Sequence, residues 1–170
     1  MTEELAKQPR AVAEAARQLG LELEIREYPQ GTRTAADAAR AIGCNVDQIV
    51  KSLVFMADQE PVLVLTSGAN RVDVVKVAKQ TGTVDVRKAD AEEVRAATGY
   101  AIGGTPPFGH PRKLTILVDP HLTTLARLWA AAGTPRHVFA ITPDDLLRVT
   151  GGVVADVTLR ESPDKAGKRG

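Results

Sequence analysis

The sequence predicts a mixed α+β fold in a single domain, a mixed and partly antiparallel sheet surrounded by helices. Three observations carry this. Stretches of helical period and stretches of strand period alternate along the chain, which interleaves the two kinds of element. Residues 49–57 and 61–67 are apolar on both faces and separated only by Asp58, Gln59 and Glu60, the pattern of a central hairpin. Finally, 170 residues with 44% apolar and 25% charged side chains suit one core and leave little room for a second.

The elements follow in order. Val12, Ala15, Ala16 and Leu19 stand at helical spacing, with Pro9 read as the start and Gly20 as the stop. Residues 21–28 alternate Leu21, Leu23 and Ile25 with Glu22, Glu24 and Arg26, which predicts a strand with one wet face near a sheet edge. Thr34 and Asp37 make a capping pair ahead of Ala38, Ala41 and Ile42, and Gly43 ends that helix. After the hairpin, Val74, Val77 and Ala78 line a helix over 73–80, residues 84–87 form a short strand, and a helix over 90–97 ends at Gly99. Residues 114–119 read as a strand, the spacing of Leu122, Leu125, Ala126 and Trp129 predicts a helix, and 137–141 reads as a strand. Thr142, Pro143 and Asp145 supply the cap, first position and capping partner of a last helix, and a strand over 153–159 closes the fold. Residues 1–160 are thus read as the domain and 161–170 as a polar, disordered tail.

Composition excludes several functions. A formal net charge of +1 speaks against bulk neutralisation of nucleic acid, while a local basic patch remains compatible with holding one RNA end. Cys44 is the one cysteine, so no intrachain disulfide exists, and no apolar run approaches the roughly 20 residues of a spanning helix. The expectation is a soluble cytoplasmic protein with no membrane partner. His110, His121 and His137 are scattered without ligand spacing, so no metal or other cofactor is expected. Ser67 lacks the G-x-S-x-G elbow, and no nucleophilic triad is visible.

Two features stand out against this background. Residues 99–109, G-Y-A-I-G-G-T-P-P-F-G, hold four glycines and two prolines, and Thr105 and Pro106 each precede a proline. The loop lacks the G-K-[ST] ending of a nucleotide-binding P-loop and leads into a strand. It is either a tight connection or a stiff frame whose amides, from Gly103 to Gly109, face a ligand. Lys51 interrupts an apolar strand on the face of Ile49, Leu53 and Phe55, where it either snorkels to water or points into a cleft. Asp119 precedes Pro120, a capping position, although a carboxylate at a strand's carboxyl end also binds amino groups.

Taken together, T-R-T-A-A-D-A-A-R-A-I-G, Q-I-V-K-S-L-V-F, T-G-Y-A-I-G-G-T-P-P-F-G, I-L-V-D-P and T-P-D-D-L, in that order over residues 20–158, resemble the YbaK and prolyl-tRNA synthetase editing-domain family. The resemblance implies a curved mixed sheet, no metal, and a deacylase that acts in trans on a mischarged tRNA, bound by its acceptor end. It implies Lys51 as the catalytic residue, with Ser52 in the neighbouring hydroxyl position and Gly103, Gly104, Pro107 and Gly109 as the matching binding loop; Thr105 and Phe108, whose amides lie in the same stretch, and Asp119 complete the substrate-binding candidates. The implied substrates are alanyl, cysteinyl, seryl or threonyl esters, including those on a tRNA for proline, and an aminoacyl-tRNA synthetase is a further candidate partner. Ala131 and Ala132 stand where members that clear cysteine carry a small hydroxyl and glycines, a departure from a cysteine-specific pattern. A module that binds the acceptor end or a synthetase without cleavage is the rival reading.

Overall fold

The hairpin is the axis of the molecule. In the computed structural model, which describes residues 2–29 and 34–159, strand β2 (Val50–Ala57) pairs antiparallel with β3 (Glu60–Ser67) along its whole length, from Val50 opposite Ser67 to Ala57 opposite Glu60. The turn residues Asp58 and Gln59 have φ of 47° and 71°. Two consecutive positive φ values match the right-handed twist of the flanking strands. The Asp58 carboxylate accepts from the amides of Val84 and Asp85, and its own amide donates to Asp85 O, so the turn is tied to the neighbouring segment.

That segment leads into β4 (Val86–Lys88), which lies on β2, while β5 (Thr115–Val118) and the two-residue β8 (Val153–Val154) extend the other side in parallel. The order β4-β2-β3-β5-β8 makes a mixed five-stranded sheet. The remaining strands do not join it. Strands β1 (Ile25–Glu27), β6 (Leu128–Ala131) and β7 (His137–Ile141) form a three-stranded antiparallel sheet with β1 at its edge, as its wet face predicts. The expected single sheet is therefore two, joined by an isolated bridge between Ile49 and Trp129. Period-2 patterning identifies strands but carries no information about which strands pair.

Helices fill the faces. α1 (Thr2–Gln18) buries Val12 and Ala16, α4 (Ala91–Thr98) buries Val94 and Ala97, and both pack with Val50, Val54, Leu63, Leu65 and Phe139 in the main core between the sheets. α3 (Val74–Thr81) covers the opposite face of β2 and β3 through Val77, against Phe55, Val62 and Val64. α2 (Ala35–Ile42) seals the junction of the sheets with Ala38 and Ala39 against Ile49, Trp129 and Val138. The caps predicted for α2 and α5 (Pro143–Thr150) are present. Thr34 Oγ1 accepts from Asp37 N at 3.0 Å, and Thr142 Oγ1 accepts from Asp145 N at 3.2 Å.

Some boundaries differ from expectation. Pro9 lies inside α1, not at its start. The strand expected over 21–28 is limited to residues 25–27, and Leu21 and Leu23 pack on the core without pairing. The helix expected around Leu122 to Trp129 is a short 3-10 turn, Pro120–Thr124, followed by β6. Leu128, Trp129 and Ala130 are buried on both faces of β6, so no alternation marked the strand, and the leucine spacing imitated a helix. The expected tail lies outside the described residues. Among those described, no helix is long and apolar enough to cross a membrane.

The glycine-proline loop is pressed onto the smaller sheet and α1. Phe108 is 3% exposed, its ring 5.7 Å from that of Phe139. A Cβ on Gly104 would lie 2.8 Å from Thr134 Cα and 2.9 Å from Gly133 O, and one on Gly109 would meet Ala15 Cβ at 2.9 Å. Backbone cannot retreat as a side-chain tip can. Gly104→Ala should therefore cost about 1–3 kcal/mol, as overpacking does, and a denaturant titration showing an unchanged midpoint would contradict the packing described.

Candidate functional site

The cavity that matters opens where β2 runs out of partners. On the side away from β3, β6 lies alongside but bridges only to Ile49, the residue before β2, and β4 begins at Phe55, with one more bond from Ala89 N to Val54 O. Among the described residues, no strand pairs with that edge between these points. In an antiparallel pair the N–H and C=O of one residue point the same way and alternate along the strand. Ile49 O faces β3, where it accepts from Gly68 N, and Val54 O faces β4, so the amide and carbonyl of Ser52 point out of the open edge. A cavity of about 510 Å³ lies against it.

Its walls are the backbone and side chains of residues 49–54, the small face of α2, the end of β4, residues 102, 103 and 105 of the loop, and Trp129, Ala130 and Ala131 of β6. Lys51 and Ser52 both line it although neighbouring strand residues point to opposite faces. Wrapping around a strand edge resolves this. Ser52 Oγ is buried with no hydrogen-bond partner in the protein, an arrangement that leaves a polar group waiting for one.

Lys51 is anchored. Its Nζ donates to the main-chain oxygen of Asn70 at 2.6 Å, because the hairpin register sets Lys51 opposite Thr66 and brings the following loop alongside. Asn70 Nδ2 in turn donates to Asp119 Oδ2 at 2.9 Å. The same oxygen accepts from Thr66 Oγ1 at 3.1 Å and Ser67 N at 3.0 Å, while Oδ1 accepts from His121 N at 2.9 Å. Burial lowers the Lys51 ammonium from its ordinary value, and the charges of Arg71 and Lys88 lower it further against an opposing pull from Asp119. Burial would raise the Asp119 carboxyl, but the hydrogen bonds from Asn70, Ser67, His121 and Thr66 outweigh it and hold the group below its usual value. Gly68 stays small because α2 and Val46 close over it.

The candidate residues thus separate into two groups. Lys51, Ser52, Gly103 and Thr105 meet at the cavity. Gly104, Pro107, Phe108 and Gly109 do not line it; Phe108 belongs to the core and the two glycines allow close packing. The Gly104 amide is also engaged, donating to Ala101 O at 3.0 Å. Asp119 is 1% exposed and its oxygens are filled by four donors, so it acts behind the cavity wall and not on a ligand directly. Asn70, Arg71, Lys88 and Trp129 are missing from the sequence-derived set. Asn70 was within reach of sequence reasoning, since a hairpin drawn in register already sets the residues after Ser67 beside Lys51. Among the described residues, no group of three His, Cys, Asp or Glu side chains is placed to hold a metal ion.

A scan against protein-family models matches residues 29–149 to the aminoacyl-tRNA editing domain. The chain belongs to that family. A solved structure described as a proposed trans-editing enzyme for prolyl-tRNA synthetase is 45% identical, with a TM-score of 0.85 over 90% of this chain and 98% of that one. A curated relative named as a proposed Cys-tRNA(Pro)/Cys-tRNA(Cys) deacylase, EbsC of Enterococcus faecalis, is 26% identical over 75% of this chain and 79% of its own length. The proline–tRNA ligase of Limosilactobacillus fermentum is 35% identical over 62% of this chain, and the match spans only 20% of that ligase. In this editing domain Lys51 lines the same cavity as Ile102, Gly103 and Thr105 of the loop.

The buried carboxylate gives the domain an acid limit. With its folded value depressed, Asp119 contributes stability that is complete above its unfolded value of 3.8 and is lost as pH falls through the lower folded value. Asp119→Asn should lose stability at neutral pH and show a shallower decline as pH falls below 3.8; parallel pH profiles for the two proteins would contradict this.

Proposed function

We propose that this editing domain acts in trans as a deacylase, hydrolysing the ester between a small amino acid and the terminal ribose of a mischarged tRNA. The observation that carries the reading is that Lys51, Gly103 and Thr105 line one cavity. An aminoacyl ester is already activated, so positioning and charge stabilisation suffice and no protein nucleophile is required. The volume of about 510 Å³ falls within the usual range for small-ligand sites and admits an aminoacyl group with part of its ribose.

Lys51 holds the acceptor-end phosphate or the aminoacyl group, with Arg71 and Lys88 adding positive charge around it. The amides of Gly103 and Thr105 are the donors for the ester carbonyl as negative charge develops on its oxygen. Ser52 presents its buried hydroxyl and its edge-facing main chain to the aminoacyl moiety. Water attacks with help from the neighbouring ribose hydroxyl, which fits a site without a general-base histidine at the cavity wall. Ala35, Ala36 and Ala38 on the α2 side and Ala130 and Ala131 of β6 line part of the wall, beside the larger Trp129, Ile102 and Val138, and Ala132 is fully buried. The alanines leave that part of the cavity without polar side chains, and the small amino acid of this reading comes from the family resemblance. The names of the relatives point to a tRNA for proline as the carrier and make a synthetase a candidate partner.

A panel of mischarged tRNAs, each incubated with the protein and with Lys51→Ala, tests the reading. The protein should clear at least one small aminoacyl ester, and the variant should lose about 10²-fold or more in kcat/KM, the scale of losing one charge-stabilising donor. Because the working form is the ammonium and its value is lowered, the rate corrected for spontaneous hydrolysis should fall on an alkaline limb below 10.5. Tight binding of acceptor ends with no hydrolysis of any ester would favour a binding module instead.

A further inference from the structure

Three chain segments converge behind Lys51, and none of them touches the cavity with a reacting group. The carboxyl end of β3 supplies Thr66 and Ser67, the loop after it supplies Asn70, and the turn after β5 supplies Asp119 and His121. We propose that Asp119 and Asn70 are positioning residues for Lys51: the buried carboxylate clamps the Asn70 side chain, and the clamped main chain of Asn70 fixes the ammonium at the cavity. The inference rests on the deacylase reading for its catalytic consequence and on geometry for the clamp itself.

The chain of contacts is continuous. Asp119 Oδ2 accepts Asn70 Nδ2 at 2.9 Å, and Asn70 O accepts Lys51 Nζ at 2.6 Å. Asn70 is held by little else, its amide donating to Ser67 O at 3.0 Å within the same short loop. Asp119 is fixed independently, by its place in the core and by its own amide donating to Leu65 O at 2.8 Å. Rigidity therefore passes from the sheet to the loop and from the loop to the lysine. A long side chain with four rotatable bonds needs such a hold, because displacement by about 1 Å costs up to 10²-fold in rate.

Charge travels the same route. The groups that act on Lys51 come from three elements: Arg71 from the loop after β3 and Lys88 from β4 oppose its protonation, and Asp119 supports it. Asp47 and His121 form a pair at 2.9 Å on the far side of Ser67, with the Asp47 main-chain oxygen accepting from Ser67 Oγ at 2.8 Å. Asp119 is thus the anion that opposes two cations at the lysine without outweighing them. A residue that served only to hold the fold together would leave the titration of Lys51 where it was.

The test uses Asn70→Ala and Asp119→Asn in the full chain, with melting temperature, kcat, KM and the titration of Lys51 followed by NMR of its ¹³Cε. Asn70→Ala should melt close to the wild type and lose about 10- to 100-fold in kcat, with KM changed less than kcat. Asp119→Asn should move the Lys51 titration, and with it the alkaline limb, to lower pH. Wild-type kcat in a folded Asn70→Ala overturns the proposal, as does an unmoved titration in a folded Asp119→Asn; should the latter fail to fold, Asn70→Ala decides. If the wild type itself hydrolyses no ester, the deacylase reading fails, and the clamp is then judged by whether Asn70→Ala shifts the Lys51 ¹³Cε signal and its titration.

Discussion

A carboxylate with 1% of its surface exposed is tolerated only when hydrogen bonds replace the water it has lost, and Asp119 meets that demand with four donors from three segments. The constraint is geometric as much as energetic. Each donor must arrive from a set direction, so the end of β3, the loop after it and the turn after β5 are locked relative to one another. Lys51 inherits its position from that lock. The parallel pairing of β3 with β5 is what brings the two strand ends together, since it sets their carboxyl termini side by side.

The second constraint is topological. A strand edge left without a partner is a liability unless something covers it. Here α2, Trp129 beyond its bridge to Ile49, and residues 102, 103 and 105 surround the β2 edge, and none of them pairs with Ser52, whose main-chain groups face the cavity. The glycines of the 99–109 loop fit this picture in two different ways. Gly104 and Gly109 let backbone and helix approach closely, whereas Gly103, at φ 88°, turns the chain so that it can form part of the wall. Stiffness in the loop is the product of packing through Phe108 as well as of its prolines.

Much of this was legible in the amino-acid sequence, for physical reasons that differ by element. The hairpin declared itself because both strands are buried on two faces and the polar break between them is short. The helix caps at Thr34 and Thr142 were visible because a side chain that replaces a missing backbone partner leaves a fixed spacing. The lysine and the loop stood out because each breaks the local pattern, and the family resemblance is what made Lys51 a candidate catalytic residue. What stayed hidden was long-range. Division of the strands into two sheets, the strand at Leu128–Ala131, and the withdrawal of Asp119 behind the wall all depend on contacts between distant residues. The burial of Phe108 against Phe139 was hidden for the same reason.

The most direct measurement is a crystal structure of the protein with an amide-linked aminoacyl-adenosine, a non-hydrolysable form of the acceptor end. The aminoacyl group should lie in the cavity between the open edge of β2 and residues 102–105, its carbonyl toward the amides of Gly103 and Thr105. Lys51 Nζ should lie within hydrogen-bonding distance of the ligand. A ligand bound elsewhere, or a Lys51 ammonium turned away from a ligand that fills the cavity, would contradict the assignment of this site.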